Sequence, residues 1–149
     1  MLIYRIALAK YADKLIASGR AARWNPNEVD MIYTASSRSL ACLENVVHRN
    51  QLGLIAAFNV MTIEAPDKLK ITTLKLDDLR VDWSDFNQMR YTQLIGENWI
   101  RERKTAILAV PSSIIEEEFN YLLNPKHEDF GEIKLIRSVP FIFDQRIKQ

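Results

Sequence analysis

Strand-length apolar runs recur along this chain while only two long stretches keep a helical period, and that order constrains the fold most. Residues 2–8 (LIYRIAL) alternate, with Tyr4 and Ile6 on one face and Ile3 and Arg5 on the other. Further strands are expected at 31–35, 54–64, 69–74, 105–110, 117–123, 132–138 and 140–143, punctuated by Pro66, Pro111 and Pro125. A helical segment or turn is expected around 11–18, then an irregular stretch from Gly19 to Asp30. The long helical stretches are 38–50 and 85–103. The regular strand–helix alternation of a doubly wound parallel sheet is missing, so the fold class is α+β in one domain spanning 1–149.

Within the first long helix Leu40, Leu43 and Val47 form an apolar stripe widened by Val46, with Ser36 or Ser37 as the cap. Glu44 falls beside this stripe instead of opposite it, an uncommon place for a glutamate. Phe86, Met89, Leu94 and Trp99 are the expected core residues of the second helix, and Phe119, Tyr121 and Leu123 share a face of the strand at 117–123.

Composition removes several functions. Twenty basic residues against nineteen acidic ones leave a formal charge of +1, with none of the strong basicity of a nucleic-acid-binding domain. Cys42 is the only cysteine, and His48 and His127 stand far apart, so no metal-ligand spacing occurs. No run is long and apolar enough for a membrane span or a signal peptide, and a cytoplasmic protein is expected. The four glycines, Gly19, Gly53, Gly96 and Gly131, form neither a dinucleotide-binding turn nor a P-loop. No G-x-S-x-G elbow or H-E-x-x-H pattern is present either.

Three stretches resemble the RES-domain family, named for an arginine, a glutamate and a serine. They are GRAARWN (19–25) with IYTAS (32–36) and LACLENVVHR (40–49), then QLIGENW (93–99), then VPSSIIEEEFNYLLNPKHEDF (110–130) trailed by PFIFDQR (140–146). The resemblance covers nearly the whole chain in the family's order. It departs after Trp24-Asn25-Pro26, where the family often has a further proline or glycine and this chain has Asn27-Glu28-Val29.

The resemblance implies an ADP-ribosyltransferase-like fold, a mixed and split β-sheet core with flanking helices. It further implies a bacterial toxin of a toxin–antitoxin system that cleaves NAD at the nicotinamide–ribose bond, with NAD as substrate and no metal. Glu44 would be the catalytic carboxylate, assisted by Arg23. Arg5 and Arg23 would contact the phosphates and ribose, Tyr33 the nicotinamide pocket, and Ser112 would be the family's serine, favoured over Ser113 by the preceding Val110-Pro111. The implied partner is an antitoxin with an Xre-type helix-turn-helix domain, in a complex where a homodimer is plausible and this chain itself touches neither nucleic acid nor membrane.

These residue types suit the chemistry. Loss of nicotinamide builds positive charge on the ribose, which a nearby carboxylate stabilises more in the transition state than in the ground state. The planar arginine fork pairs two phosphate oxygens at once. Without the resemblance, each residue has an ordinary reading: Glu44 pairs with His48 one turn on or with an arginine elsewhere, the arginines form surface or cross-strand ion pairs, and Tyr33 is a half-buried strand residue. Ser112 would start a turn, Asn120 and His127 would hold the NYLLNPKH turn, Glu116–Glu118 would be a solvated edge, Cys42 would pack, and Trp24 and Trp99 would be core or pocket-wall residues. A protein mono-ADP-ribosyltransferase and a non-enzymatic binding module are the competing functions. A toxin acting on RNA is disfavoured by the neutral charge and the lack of a histidine acid–base pair.

Overall fold

The structure is a computed structural model, and it describes residues 1–48 and 56–147. Seven strands form one mixed sheet: β1 (Leu2–Leu8), β2 (Ile32–Ala35), β3 (Phe58–Glu64), β4 (Ile71–Thr73), β5 (Ile107–Pro111), β6 (Phe119–Leu123) and β7 (Lys134–Phe141). Their spatial order is β4-β5-β6-β2-β1-β3-β7, and only β4–β5 is parallel. With helices α1 (Arg38–His48) and α2 (Met89–Glu102), this is an α+β architecture, as the order of sequence periods implies.

The sheet is nearly divided at its centre. β1 pairs with β3 along its whole length, yet meets β2 at the single pair Tyr4↔Ala35. The strands on either side diverge, and the crevice between them is where a cavity can form without removing core. Ile3, Ile32, Met61, Ile63, Ile107 and Leu123 fill one face of the sheet. On the other, Ile6, Ala35, Phe58 and Val60 pack with Leu40 and Ala41 of α1, while Leu108, Val110 and Leu122 pack with Trp24, Trp83 and Trp99.

Ser37, not Ser36, caps α1: its hydroxyl accepts from the Leu40 amide at 3.0 Å. The expected apolar stripe is corrected. Leu40 and Ala41 are buried, but Leu43 and Val47 are 36% and 55% exposed. Leu40 and Ala41 already fill the contact with the sheet, and the next inward turn is taken by Glu44 and Asn45, whose side chains find hydrogen-bond partners there. Polar anchoring therefore sets the helix's rotation.

A similar correction applies to the helix expected at 85–103: α2 begins only at Met89, Phe86 in the 3-10 turn before it is 81% exposed, and Leu94 is 41% exposed. The inner face of α2 is Thr92, Gly96 and Trp99, spaced at i, i+4 and i+7. Arg103, in the left-handed region at φ 50°, ends the helix.

Elsewhere the expected segment at 11–18 shrinks to a 3-10 turn at Ala9–Tyr11. β3 begins at Phe58, and residues 54–55 of the expected strand lie outside the described residues, as do 49–50 of the expected helix. The two strands expected after residue 131 are one, β7, because it lies at the sheet edge, where Pro140 needs no amide hydrogen for a ladder.

Candidate active site

The crevice between β1 and β2 holds a cavity of about 500 Å³, walled by Tyr4, Arg5 and Ile6 of β1 and Tyr33, Thr34 and Ala35 of β2. α1 contributes Ala41, Glu44, Asn45 and His48, the loop at 21–24 contributes Arg23 and Trp24, and Met89, Ser113 and Asn120 complete the wall. The volume lies within the range of small-molecule binding pockets. Four residues singled out in the sequence, Arg5, Arg23, Tyr33 and Glu44, thus meet around one space.

Glu44 is the most elaborately held. Its Oε1 accepts from the Ser112 hydroxyl at 2.8 Å and from Asn120 Nδ2 at 2.7 Å. Its Oε2 faces His48 Nε2 at 3.3 Å, the i,i+4 pairing of the ordinary reading, but the His48 side chain is 59% exposed. One oxygen is thus locked from behind, and the other meets a partner that solvent or a ligand can displace. Burial pushes the Glu44 carboxyl up, but hydrogen bonds from His48, Asn120 and Ser112 outweigh it and leave it below the ordinary glutamate value. Glu44 is therefore an anion at neutral pH.

Ser112 is fully buried and does not wall the cavity. Besides donating to Glu44, its oxygen accepts from the amides of Ile114 and Ile115 at 3.1 Å each, which fixes the hydroxyl's direction. The place given to it among NAD contacts thus becomes one behind the carboxylate, while Ser113 reaches the wall. Asn120, read in the sequence as holding the NYLLNPKH turn, instead sits on β6 and aims its amide at Glu44. Strand alternation could have separated Asn120 from Phe119 and Tyr121, but nothing local shows which carboxylate it meets. His127 does hold the turn, accepting from the Asp129 amide at 3.0 Å.

Arg23 Nε and Nη1 are buried and have no hydrogen-bond partner among the described residues. Its guanidinium lies 5.9 Å from the centroid of the Trp83 ring. Burial lowers its proton affinity, against the field of Glu44 and the lesser effect of Tyr33, and as an arginine it stays charged. Buried donors without acceptors are costly, and an anion entering the cavity would relieve that cost. Arg5, also pulled down by burial, donates to the Ile16 carbonyl at 3.1 Å and still faces the cavity.

Tyr33 walls the cavity with its ring and ties the arginine's loop with its hydroxyl, which donates to Asn25 Oδ1 at 2.5 Å and accepts from the Trp24 amide at 3.0 Å. Burial pushes the phenol's pKa up, more than these bonds and Arg23 lower it, so it stays protonated. Asn25, 2% exposed, is the loop's hub: its Nδ2 reaches the carbonyls of Arg20, Pro26 and Val29. The departure at Asn27-Glu28-Val29 keeps the turn by force. Glu28 adopts φ 69°, a conformation glycine takes freely, and its amide bonds the Gly19 carbonyl at 2.8 Å.

Among the described residues no cluster of three or more histidine, cysteine or acidic side chains gathers to hold a metal. None of their helices is long and apolar enough to cross a membrane.

Comparison with known proteins identifies the family. The RES domain family matches residues 2–144. A "Prs ADP-ribosylating toxin" of Sphingobium sp. is 38% identical over 141 residues, 91% of this chain and 88% of that one. Proteins named "Toxin Res" from Yersinia enterocolitica and Photorhabdus laumondii are 33% and 32% identical, with 99% of this chain covered in each case and 100% and 97% of theirs. The family match over residues 2–144 and the near full-length similarity lead to one conclusion: this chain belongs to the RES-domain family.

Proposed function

We propose that this chain breaks the nicotinamide–ribose bond of NAD and is the toxin of a toxin–antitoxin pair. The observation that carries the reading is the asymmetry of Glu44, an anion with Oε1 locked by Ser112 and Asn120 and Oε2 opposed, among the described residues, only by an exposed histidine. Such a carboxylate can take a ribose hydroxyl on Oε2 and hold its charge beside the sugar as the bond breaks. Arg23 and Arg5 supply cations for the pyrophosphate, and the Tyr33 ring supplies a flat wall for nicotinamide.

The electron pair of the C1′–N bond leaves with nicotinamide, which becomes a neutral pyridine. The cationic ribose carbon then accepts a lone pair from an acceptor oxygen, and the acceptor's proton passes to Glu44 or to solvent. With water as acceptor the products are nicotinamide, ADP-ribose and a proton. With phosphate or a protein side chain the new bond forms to that oxygen. Fixed charges in a partly dewatered crevice act mainly on the transition state.

The name of the Sphingobium relative favours a second reading, transfer of ADP-ribose to a protein. The names of the other relatives support a toxin's role and an antitoxin partner, for which we propose an Xre-type helix-turn-helix protein acting in the cytoplasm. Incubation with NAD, alone, with phosphate and with cell lysate, followed by product analysis, separates the acceptors. Free ADP-ribose from NAD alone identifies hydrolysis, phosphate-dependent release identifies phosphorolysis, and release only with a protein acceptor identifies modification. No nicotinamide under any condition from folded protein would refute the proposal.

A further inference from the structure

The QLIGENW stretch belongs to the family pattern, yet Gln93 and Gly96 do not wall the cavity. Together with neighbouring Thr92, they meet the arginine's loop from behind. Gln93 Nε2 donates to the Ala22 carbonyl at 3.0 Å, and the Thr92 hydroxyl to the Arg23 carbonyl at 2.5 Å. At Gly96 the helix comes so close that a Cβ would stand 1.7 Å from the Trp24 carbonyl oxygen. Three consecutive carbonyls, of residues 22, 23 and 24, are thus each met by a different residue on one face of α2. Thr92 and Gly96 are both buried.

The contrast with the Arg23 side chain is the informative point. Its backbone carbonyl is fixed, while among the described residues Nε and Nη1 have no hydrogen-bond partner. No hydrogen bond from Nε or Nη1 to a described residue holds the loop in place; it is the loop, with Trp83 under the cation, that holds the guanidinium. A side chain kept unpaired by a rigid backbone is arranged for a ligand, because the ordering cost is met before binding.

We propose that Thr92, Gln93 and Gly96 are positioning residues for Arg23, and that this face of α2 sets the affinity for the anionic part of NAD without touching it. The inference rests on the reading of Arg23 as the pyrophosphate partner. A phosphate contact made equally in the ground and transition states acts on KM and leaves kcat alone. Loss of Arg23 alignment should therefore separate from loss of Glu44, which acts on kcat.

The test is nicotinamide release across NAD concentrations for Thr92→Val, Thr92→Ser, Gln93→Ala, Arg23→Ala and the double variant Arg23→Ala/Gln93→Ala. Thr92→Val and Gln93→Ala should each raise KM by about three- to tenfold, the worth of one hydrogen bond, with kcat within about twofold. Thr92→Ser keeps the hydroxyl and should keep the KM. Gln93→Ala should add nothing in the Arg23→Ala background, since the partner it acts through is gone. Gln93 is only half-buried, so its variant is expected to fold even if Thr92→Val does not.

If Arg23→Ala raises KM but the α2 variants match the wild type, or their effects multiply with Arg23→Ala, the inference is wrong and the NAD reading stands. A lower melting temperature with unchanged KM is likewise the signature of a merely structural role and overturns it. If Arg23→Ala itself leaves KM unchanged, the reading of Arg23 fails and the inference with it.

Discussion

Asn120→Asp probes the site with almost no change of shape. In the wild type the Asn120 amide donates to Glu44 Oε1 at 2.7 Å. The substitution replaces that donor with a second carboxylate, and two carboxylates so close cannot both ionise. With charge centres about 4 Å apart and an effective dielectric near 20, their repulsion is about 4 kcal/mol. At about 1.4 kcal/mol per unit, that raises the pair's upper pKa by about 3 units.

The wild-type Glu44 carboxyl sits below the ordinary glutamate value, so its contribution to stability is present above the unfolded pKa. That contribution is lost as pH falls through the lower folded value. In the variant the sign reverses: the folded pair holds its proton more tightly than the unfolded chain, and the associated stability is lost as pH rises through the raised value.

The assay is kcat for nicotinamide release from about pH 3 to 9. The wild-type acid limb should lie below the ordinary glutamate range, and that of Asn120→Asp should move up to about pH 6–7. Asn120→Ala, which removes a donor without adding charge, should move it by about a unit or less. An unmoved limb in Asn120→Asp would refute the idea that this amide holds the working carboxylate.

The two adjacent serines should separate. Ser112→Ala removes a donor to a charged group and strands two amides, so it should lower kcat and destabilise by about 2–3 kcal/mol, read by thermal unfolding. Ser113→Ala should leave the melting temperature within about a degree, since single substitutions away from buried networks lie within about 0.5 kcal/mol. Tyr33→Phe keeps the ring in the cavity wall but strands Asn25 Oδ1 and the Trp24 amide, at a cost of about 1–3 kcal/mol, and should raise KM more than it lowers kcat. An equal KM in Tyr33→Phe would mean that the hydroxyl does not position the loop.

Much of the architecture is legible because strand-length apolar runs bounded by turn residues mark strands directly, as at β1, β5 and β6. The failures are also physical. The α1 stripe of Leu40, Leu43 and Val47 is chemically sound, but Glu44 and Asn45 have partners on β6 and β1 that no local pattern reveals, and they turn Leu43 and Val47 outward. Phe86 and Leu94 look like core because they are apolar, yet Gly96 must approach the Trp24 carbonyl and so chooses the helix's inner face.

The meeting of Arg5, Arg23, Tyr33 and Glu44 was reachable only through the family resemblance. They come from four segments, and the single-pair junction of β1 with β2 that gathers them is a long-range event. Asn120 lacked any signal of its own, being one polar residue in an apolar strand.

The central claim is that Glu44 is the anion that stabilises the breaking nicotinamide–ribose bond. Its most direct test is free nicotinamide from NAD with purified wild type and with Glu44→Gln, at matched melting temperature and with the acceptor that supports turnover. Steady release by the wild type and a loss of at least about a hundredfold in the variant, with KM little changed, is the expected result. Equal release by a folded Glu44→Gln protein would contradict the account.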